Sequence, residues 1–269
     1  MFGKLNNVKP IQLLDLLIRF LCHQLTSNAK FMKKSVLIIK GYSKTAVELI
    51  NDRKIIQLYI DFFCSNAGGA FNFHKEIFVL EEPDIDGINN TIHLNALDYL
   101  VVILVGHGAN KDGLQIFQLQ NDLFIQSGQI QFECKKQLHI IESCRDIIDF
   151  ELHIKRINRL IPKYRQGGIV KMPLTREEAL EKFNDAIDKC KDGVVYLFAT
   201  EIDQSAYNYF FLQVLVDISI YLHEYLRNNI FFTSEIFEHA KNQVTSLSKG
   251  KQTPVKIGDG NFPFVITII

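Results

Sequence analysis

The chain has 269 residues, 47% of them hydrophobic, with 30 basic and 30 acidic side chains. That apolar content excludes a disordered chain, and a formal net charge of zero excludes the broad positive field of a nucleic-acid or anionic-membrane binder. Five cysteines without paired spacing exclude a disulfide framework or a cysteine zinc site, and they suit a reducing compartment.

Residues 11–25 carry leucine and isoleucine at helical spacing and predict an amphipathic helix. Asp15 and Arg19 interrupt it and no small-residue cleavage site follows, so it does not read as a signal peptide. No run reaches the roughly 18 uncharged residues of a membrane span. The expectation is a soluble intracellular protein that engages neither membrane nor nucleic acid. Residues 35–43, SVLIIKGYS, predict a buried strand, and 46–63 a helix. Residues 76–84 hold a second strand stopped before Pro83, and 100–105 a third. Segments 114–119 and 123–126 flank Gln120-Asn121-Asp122 as a small hairpin, and 137–144 is a fourth core strand. Residues 160–173 hold two prolines, Gly167-Gly168 and the basic residues Lys163, Arg165 and Lys171, the composition of a linker. Thr175, with Glu178 three residues on, caps a helix running to about 191. A fifth strand at 193–200, helices at 207–226 and 234–247, and a sixth strand at 262–269 complete the chain.

Strands alternate with helices, and the core strands are apolar throughout rather than at every second residue. That pattern predicts an α/β fold, a mostly parallel six-stranded sheet with helices on both faces.

In an open parallel sheet, functional groups collect at the carboxyl ends of the strands. His107 follows the third core strand within Gly106-His107-Gly108, and Cys144 follows the fourth within Glu142-Ser143-Cys144-Arg145-Asp146. A histidine at a strand end is commonly a turn residue, and a free cysteine is commonly a small buried hydrophobe. By that rule Cys22, Cys64, Cys134 and Cys190 are packing residues. At matching ends of adjacent strands the pair acquires chemistry, because the thiolate is the nucleophile and imidazole is the base suited to neutral pH. The amides of Gly108 and Cys144 supply an oxyanion hole in that arrangement, worth about 3 kcal/mol per donor.

VVILVGHG followed by LHIIESCRD resembles the histidine and cysteine motifs of the caspase-like cysteine peptidases, and most of all the metacaspases and their bacterial relatives. Asn51-Asp52, the segment YLFATEIDQSAYNY at 196–209 and the segment KQTPVKIGDGNFPFVI at 251–266 follow in the family's order. The resemblance spans residue 35 to the C-terminus. It implies a caspase-like three-layer sandwich, with an N-terminal extension at 1–33 and a peptidase domain at 34–269. That domain divides into a large-subunit-like part at 34–160, a linker at 161–173 and a small-subunit-like part at 174–269. It implies His107 as the general base or acid, Cys144 as the nucleophile, and Gly108 with the Cys144 amide as the oxyanion hole. Glu142 and Asp203, with Glu201 as the neighbouring substitute, fall where the family places pocket acids, which implies cleavage after Arg or Lys by a charge-assisted contact. Arg145 follows the nucleophile and turns away from the pocket.

Lys163, Arg165 and Lys171 are sites for self-cleavage, with a solvated surface loop as the plain alternative. The implied partner is a protein or peptide substrate, and the implied biology is defence or regulated cell death. The N-terminal helix has no counterpart in the resemblance and reads as a docking element for a regulatory protein, a regulatory latch or a packing element. No cofactor is expected; no acid cluster matches the family's calcium site, so calcium dependence stays open. Val105-Gly106 departs from the family's usual Ser-Gly. Two rivals stand beside the peptidase: a non-catalytic caspase-like scaffold, and a Cys-His hydrolase or acyltransferase on a non-peptide substrate.

Overall fold

The computed structural model of the chain describes residues 32–91, 96–111, 114–126, 128, 130, 132–146, 174–201, 204, 206–207, 209–226 and 229–267. The predicted helix at 11–25 and the linker at 161–173 lie outside the described residues. The chain divides into an N-terminal unit, Met1–Met32, and a main unit, Lys33–Ile269, and the architecture that follows is that of the main unit.

The elements in order are β1 (Lys34–Lys40), α1 (Ala46–Cys64), α2 (Phe73–Glu76), β2 (Ile77–Glu81), α3 (Ile85–Asn89) and β3 (Tyr99–Lys111), then β4 (Leu114–Gln120), β5 (Leu123–Gln126) and β6 (Lys136–Asp146). There follow α4 (Arg176–Asp188), β7 (Gly193–Phe198), β8 (Ala206–Tyr207), α5 (Phe210–Tyr225), β9 (Ile230–Phe232), α6 (Thr233–Leu247), β10 (Val255–Gly258) and β11 (Pro263–Ile266).

The central sheet runs β10-β7-β6-β3-β1-β2. All neighbours along it are parallel except β10, which is antiparallel to β7. The fold is thus mixed α/β, a mostly parallel central sheet flanked by helices. The all-apolar reading of the core strands has a direct cause: every residue of β1 is buried, and residues 100–105 of β3 are fully enclosed. Leu37, Ile39, Leu100, Val102 and Leu104 form one cluster with Phe117 and Leu119 of the β4–β5 hairpin and Ile88 of α3. Hence the hairpin is a core element.

One predicted strand is placed differently and another runs further than expected. The segment at 262–269 was expected to complete the central sheet. Its described strand β11 instead pairs antiparallel with β9 in a separate two-stranded sheet. It is fully buried, which is why it reads as a core strand, but among the described strands it pairs with β9, and α4, α5 and α6 pack on it. The sixth central strand is β10, an edge strand whose Lys256 and exposed Ile257 hide its nature. β3 also continues through His107 to Lys111. Its parallel pairing to β6 reaches His107, and from Gly108 onward it pairs antiparallel with β4.

The helix starts are set by local chemistry. Thr45 and Glu48 form a capping box on α1, and Thr175 and Glu178 form one on α4. α5 is apolar nearly all round because it is enclosed, with ten of its residues buried. Tyr59 of α1 donates its hydroxyl to the Leu212 carbonyl at 3.1 Å, tying α1 to α5.

Candidate active site

β3 and β6 lie side by side and parallel, and His107 and Cys144 are register partners. The backbone thus brings the two residues to paired positions at the carboxyl ends of adjacent strands. β8 adds to the far side of β6 with Ala206 opposite Cys144, so the start of β8 reaches the same edge. The closing segment joins there too. Thr253 donates its amide to Gln204 Oε1 at 2.6 Å, and Gln252, fully buried, donates its side-chain amide to the Ala199 carbonyl at 2.9 Å. Four segments distant in sequence therefore meet at one edge.

Gly106 adopts a φ of +149°, and a Cβ on it would lie 3.2 Å from Gly41 Cα and 3.4 Å from the Phe117 ring. The glycine before the histidine is required by close packing against the end of β1, where Gly41 donates its amide to the Val105 carbonyl at 2.8 Å. Gly106→Ala is expected to cost about 1–3 kcal/mol, from strained backbone plus the crowding. A urea-denaturation midpoint equal to wild type would contradict this. Gly108 stands opposite Phe117 in the hairpin ladder.

His107 is partly buried, and its Nε2 lies 3.1 Å from Glu48 Oε2. The same oxygen accepts the amides of Lys44 at 2.7 Å and Thr45 at 3.3 Å. Burial alone would raise the Glu48 carboxyl, but the His107 hydrogen bond and charge and the two backbone amides outweigh it and hold it below the usual range. One turn along, Asp52 is 1% exposed and uses both oxygens: Ser43 Oγ donates at 2.5 Å, and the Tyr209 hydroxyl donates to the other. Burial raises Asp52 to about 6 in spite of Ser43, Lys40 and His107. Tyr209 takes part from a left-handed conformation at the N-cap of α5, φ +55°.

Glu142 pairs with Val105 in the register and is fully buried. Its Oε2 accepts the Leu212 amide at 2.9 Å, and the Phe211 amide adds to it. Tyr209 provides no side-chain cap to α5. Glu142 therefore supplies, from a neighbouring strand, the acceptor that the first turn of α5 needs. Among the described residues its Oε1 has no partner, and burial pushes the carboxyl up to about 8 against the two amide bonds. As placed, the carboxyl serves α5 and is closed to solvent. Asp203, Lys163, Arg165 and Lys171 lie outside the described residues. Glu201 is exposed, with its carbonyl bonded to the Gln204 amide.

Of the other cysteines, Cys134 is buried in the core, Cys64 and Cys190 are half-buried, and Cys22 lies outside the described residues. Burial raises the thiols of Cys64 and Cys190 and pushes that of Cys134 up to about 11, so none is a ready nucleophile. Among the described residues no cluster of three or more His, Cys, Asp or Glu is arranged for a metal ion. Among them, too, no helix is long and apolar enough to cross a membrane. Glu48 was not singled out by its sequence. Its signal was the Thr45-x-x-Glu48 capping pattern, which locates a helix start but says nothing of the histidine it meets.

No protein-family model and no curated protein matches the chain. The chain is similar in structure to the Drosophila initiator caspase Dronc, with a TM-score of 0.48 and 10% identity over 85% of this chain and 80% of that one.

Proposed function

We propose that the chain is a cysteine endopeptidase using a His107–Cys144 dyad. The observation that carries the reading is the register pairing of His107 with Cys144 on adjacent parallel strands, flanked by β8. In the proposed reaction His107 takes the thiol proton and the sulfur attacks the peptide carbonyl carbon. The amides of Gly108 and Cys144 hold the resulting oxyanion. His107 then gives the proton to the leaving nitrogen as the C–N bond breaks. Water, deprotonated by His107, cleaves the thioester and restores the thiol.

An acid in the pocket on the acyl side of the cut would favour a cationic residue there, and Asp203, with Glu201 as its substitute, is the candidate from sequence. Glu48 and Asp52 are already engaged by His107, Ser43 and Tyr209. Glu142 joins Asp203 only by giving up the Leu212 amide. A positional peptide library is expected to show cleavage after Arg or Lys, and an acyloxymethyl ketone peptide ending in Arg is expected to label Cys144. Preference for Asp at the cleaved position removes the basic-pocket reading. Failure of folded protein to label removes the peptidase reading in favour of a scaffold or a non-peptide substrate. Self-cleavage at Lys163, Arg165 or Lys171 is part of the proposal. It predicts two fragments on a denaturing gel for wild type and one intact band for Cys144→Ala.

A further inference from the structure

We infer that Glu48 is the positioning residue of the dyad: its carboxylate, fixed by the first turn of α1, receives the Nε2–H of His107 and leaves Nδ1 to exchange the proton. The inference deepens the peptidase reading and rests on it for its chemistry. The contact itself is independent of that reading.

Three features support the assignment. Glu48 Oε2 is held in place by the Lys44 and Thr45 amides, while Glu48's own amide donates to Thr45 Oγ1 at 3.2 Å. The imidazole therefore meets an acceptor whose position is set by the helix start. The pair is sheltered, with the His107 side chain 22% and the Glu48 side chain 12% exposed, so water competes less than at a surface ion pair. The other nearby acid, Asp52, has both oxygens engaged by Ser43 and Tyr209, which leaves Glu48 as the carboxylate committed to the ring.

Capping does not account for the contact. Glu178 of α4 and Glu235 of α6 occupy the same helical position and return to the Thr175 and Phe232 amides at 2.8 Å and 3.0 Å, and no histidine bond accompanies either among the described residues. At α1 the capping carboxylate has an additional donor. An imidazole with one N–H fixed on a carboxylate is presented in a single tautomer, and the imidazolium formed on taking the thiol proton is stabilised. The thiol proton goes to Nδ1, the Nε2 proton stays on the ring, and Glu48 stays ionised.

The test uses the full chain labelled with ¹⁵N-histidine, at a pH where imidazole is neutral. His107 is assigned by the signals lost in His107→Gln. Wild type is expected to show His107 as the Nε2–H tautomer. Glu48→Gln keeps a capping side chain but is expected to give a mixture of tautomers. In the same variant the rate of Cys144 alkylation by iodoacetamide, followed by peptide mapping, is expected to fall on the order of tenfold or more. Glu178→Gln, the matched capping change on α4, is expected to alter neither. The inference is overturned if wild-type His107 is mainly Nδ1–H, a result that does not depend on any Glu48 variant folding. It is also overturned if Glu48→Gln leaves tautomer and alkylation unchanged. If wild type shows the Nε2–H form and the Glu48 effect but cleaves no peptide, the peptidase reading fails and the pairing stands.

Discussion

Cys144→Ala is expected to abolish peptide cleavage, with a loss on the order of 10⁴-fold or more in kcat, as for removal of a nucleophile with no substitute. His107→Ala is expected to lose a comparable factor, and the double variant little more than either single one. Groups acting in one step are strongly non-additive, because removing either leaves the other nothing to do. The register argues for this outcome: β3 and β6 present the two positions as partners, and the other described cysteines have raised thiols. Kinetics of all three variants on an Arg-ended fluorogenic peptide decide the matter. Independent, multiplicative losses would mean that the residues do not work as a unit.

Replacing Glu142 is expected to have the largest effect on stability. Glu142→Ala removes the acceptor of the buried Leu212 amide and opens a cavity between β6 and α5. Together these cost about 3 kcal/mol. Glu142→Gln retains an acceptor but not the titration. The wild-type carboxyl ionises near its ordinary 4.5 when unfolded and at about 8 when folded. Between those values the unfolded chain has lost a proton that the folded chain keeps, so rising pH favours unfolding by at most about 1.4 kcal/mol per pH unit from this group. His139 acts in the opposite sense, since burial lowers it to about 3 and its folded form is neutral where the unfolded one is charged. Lys34, lowered to about 7 mainly by burial, also opposes it, at higher pH. The readout is therefore the difference between wild type and Glu142→Gln in urea midpoint. The variant should gain on wild type from about pH 5 to pH 8, and parallel curves would exclude the assignment.

The central strands were legible because burial on both faces leaves an uninterrupted apolar run, as in SVLII and YLVVILV. The His107–Cys144 relation was legible because both follow such runs and sequential strands often neighbour one another. The partner of a strand is not written in its burial. The FPFVI stretch is as apolar as β1, yet β11 pairs with β9, while the less apolar VKIG forms the sixth position of the sheet. Glu142 was read for its distance from the cysteine. Its engagement by α5 arises from a helix some seventy residues away in sequence, and local spacing cannot reveal that. Glu48 was hidden for a similar reason: one side chain serves both a helix start and a residue of another strand.

The sheet has a consequence for the integrity of the molecule. Residues 136–141 of β6 are joined to 193–198 of β7 at the middle of the sheet, although the covalent path between these strands runs through the basic stretch at 160–173. Severing that path leaves the strand ladder in place. A nicked molecule would migrate as one particle under native conditions, its two pieces held like the halves of a split reporter. It follows that the two pieces, made as separate polypeptides in one cell, should find each other and rebuild the edge at which His107 and Cys144 meet.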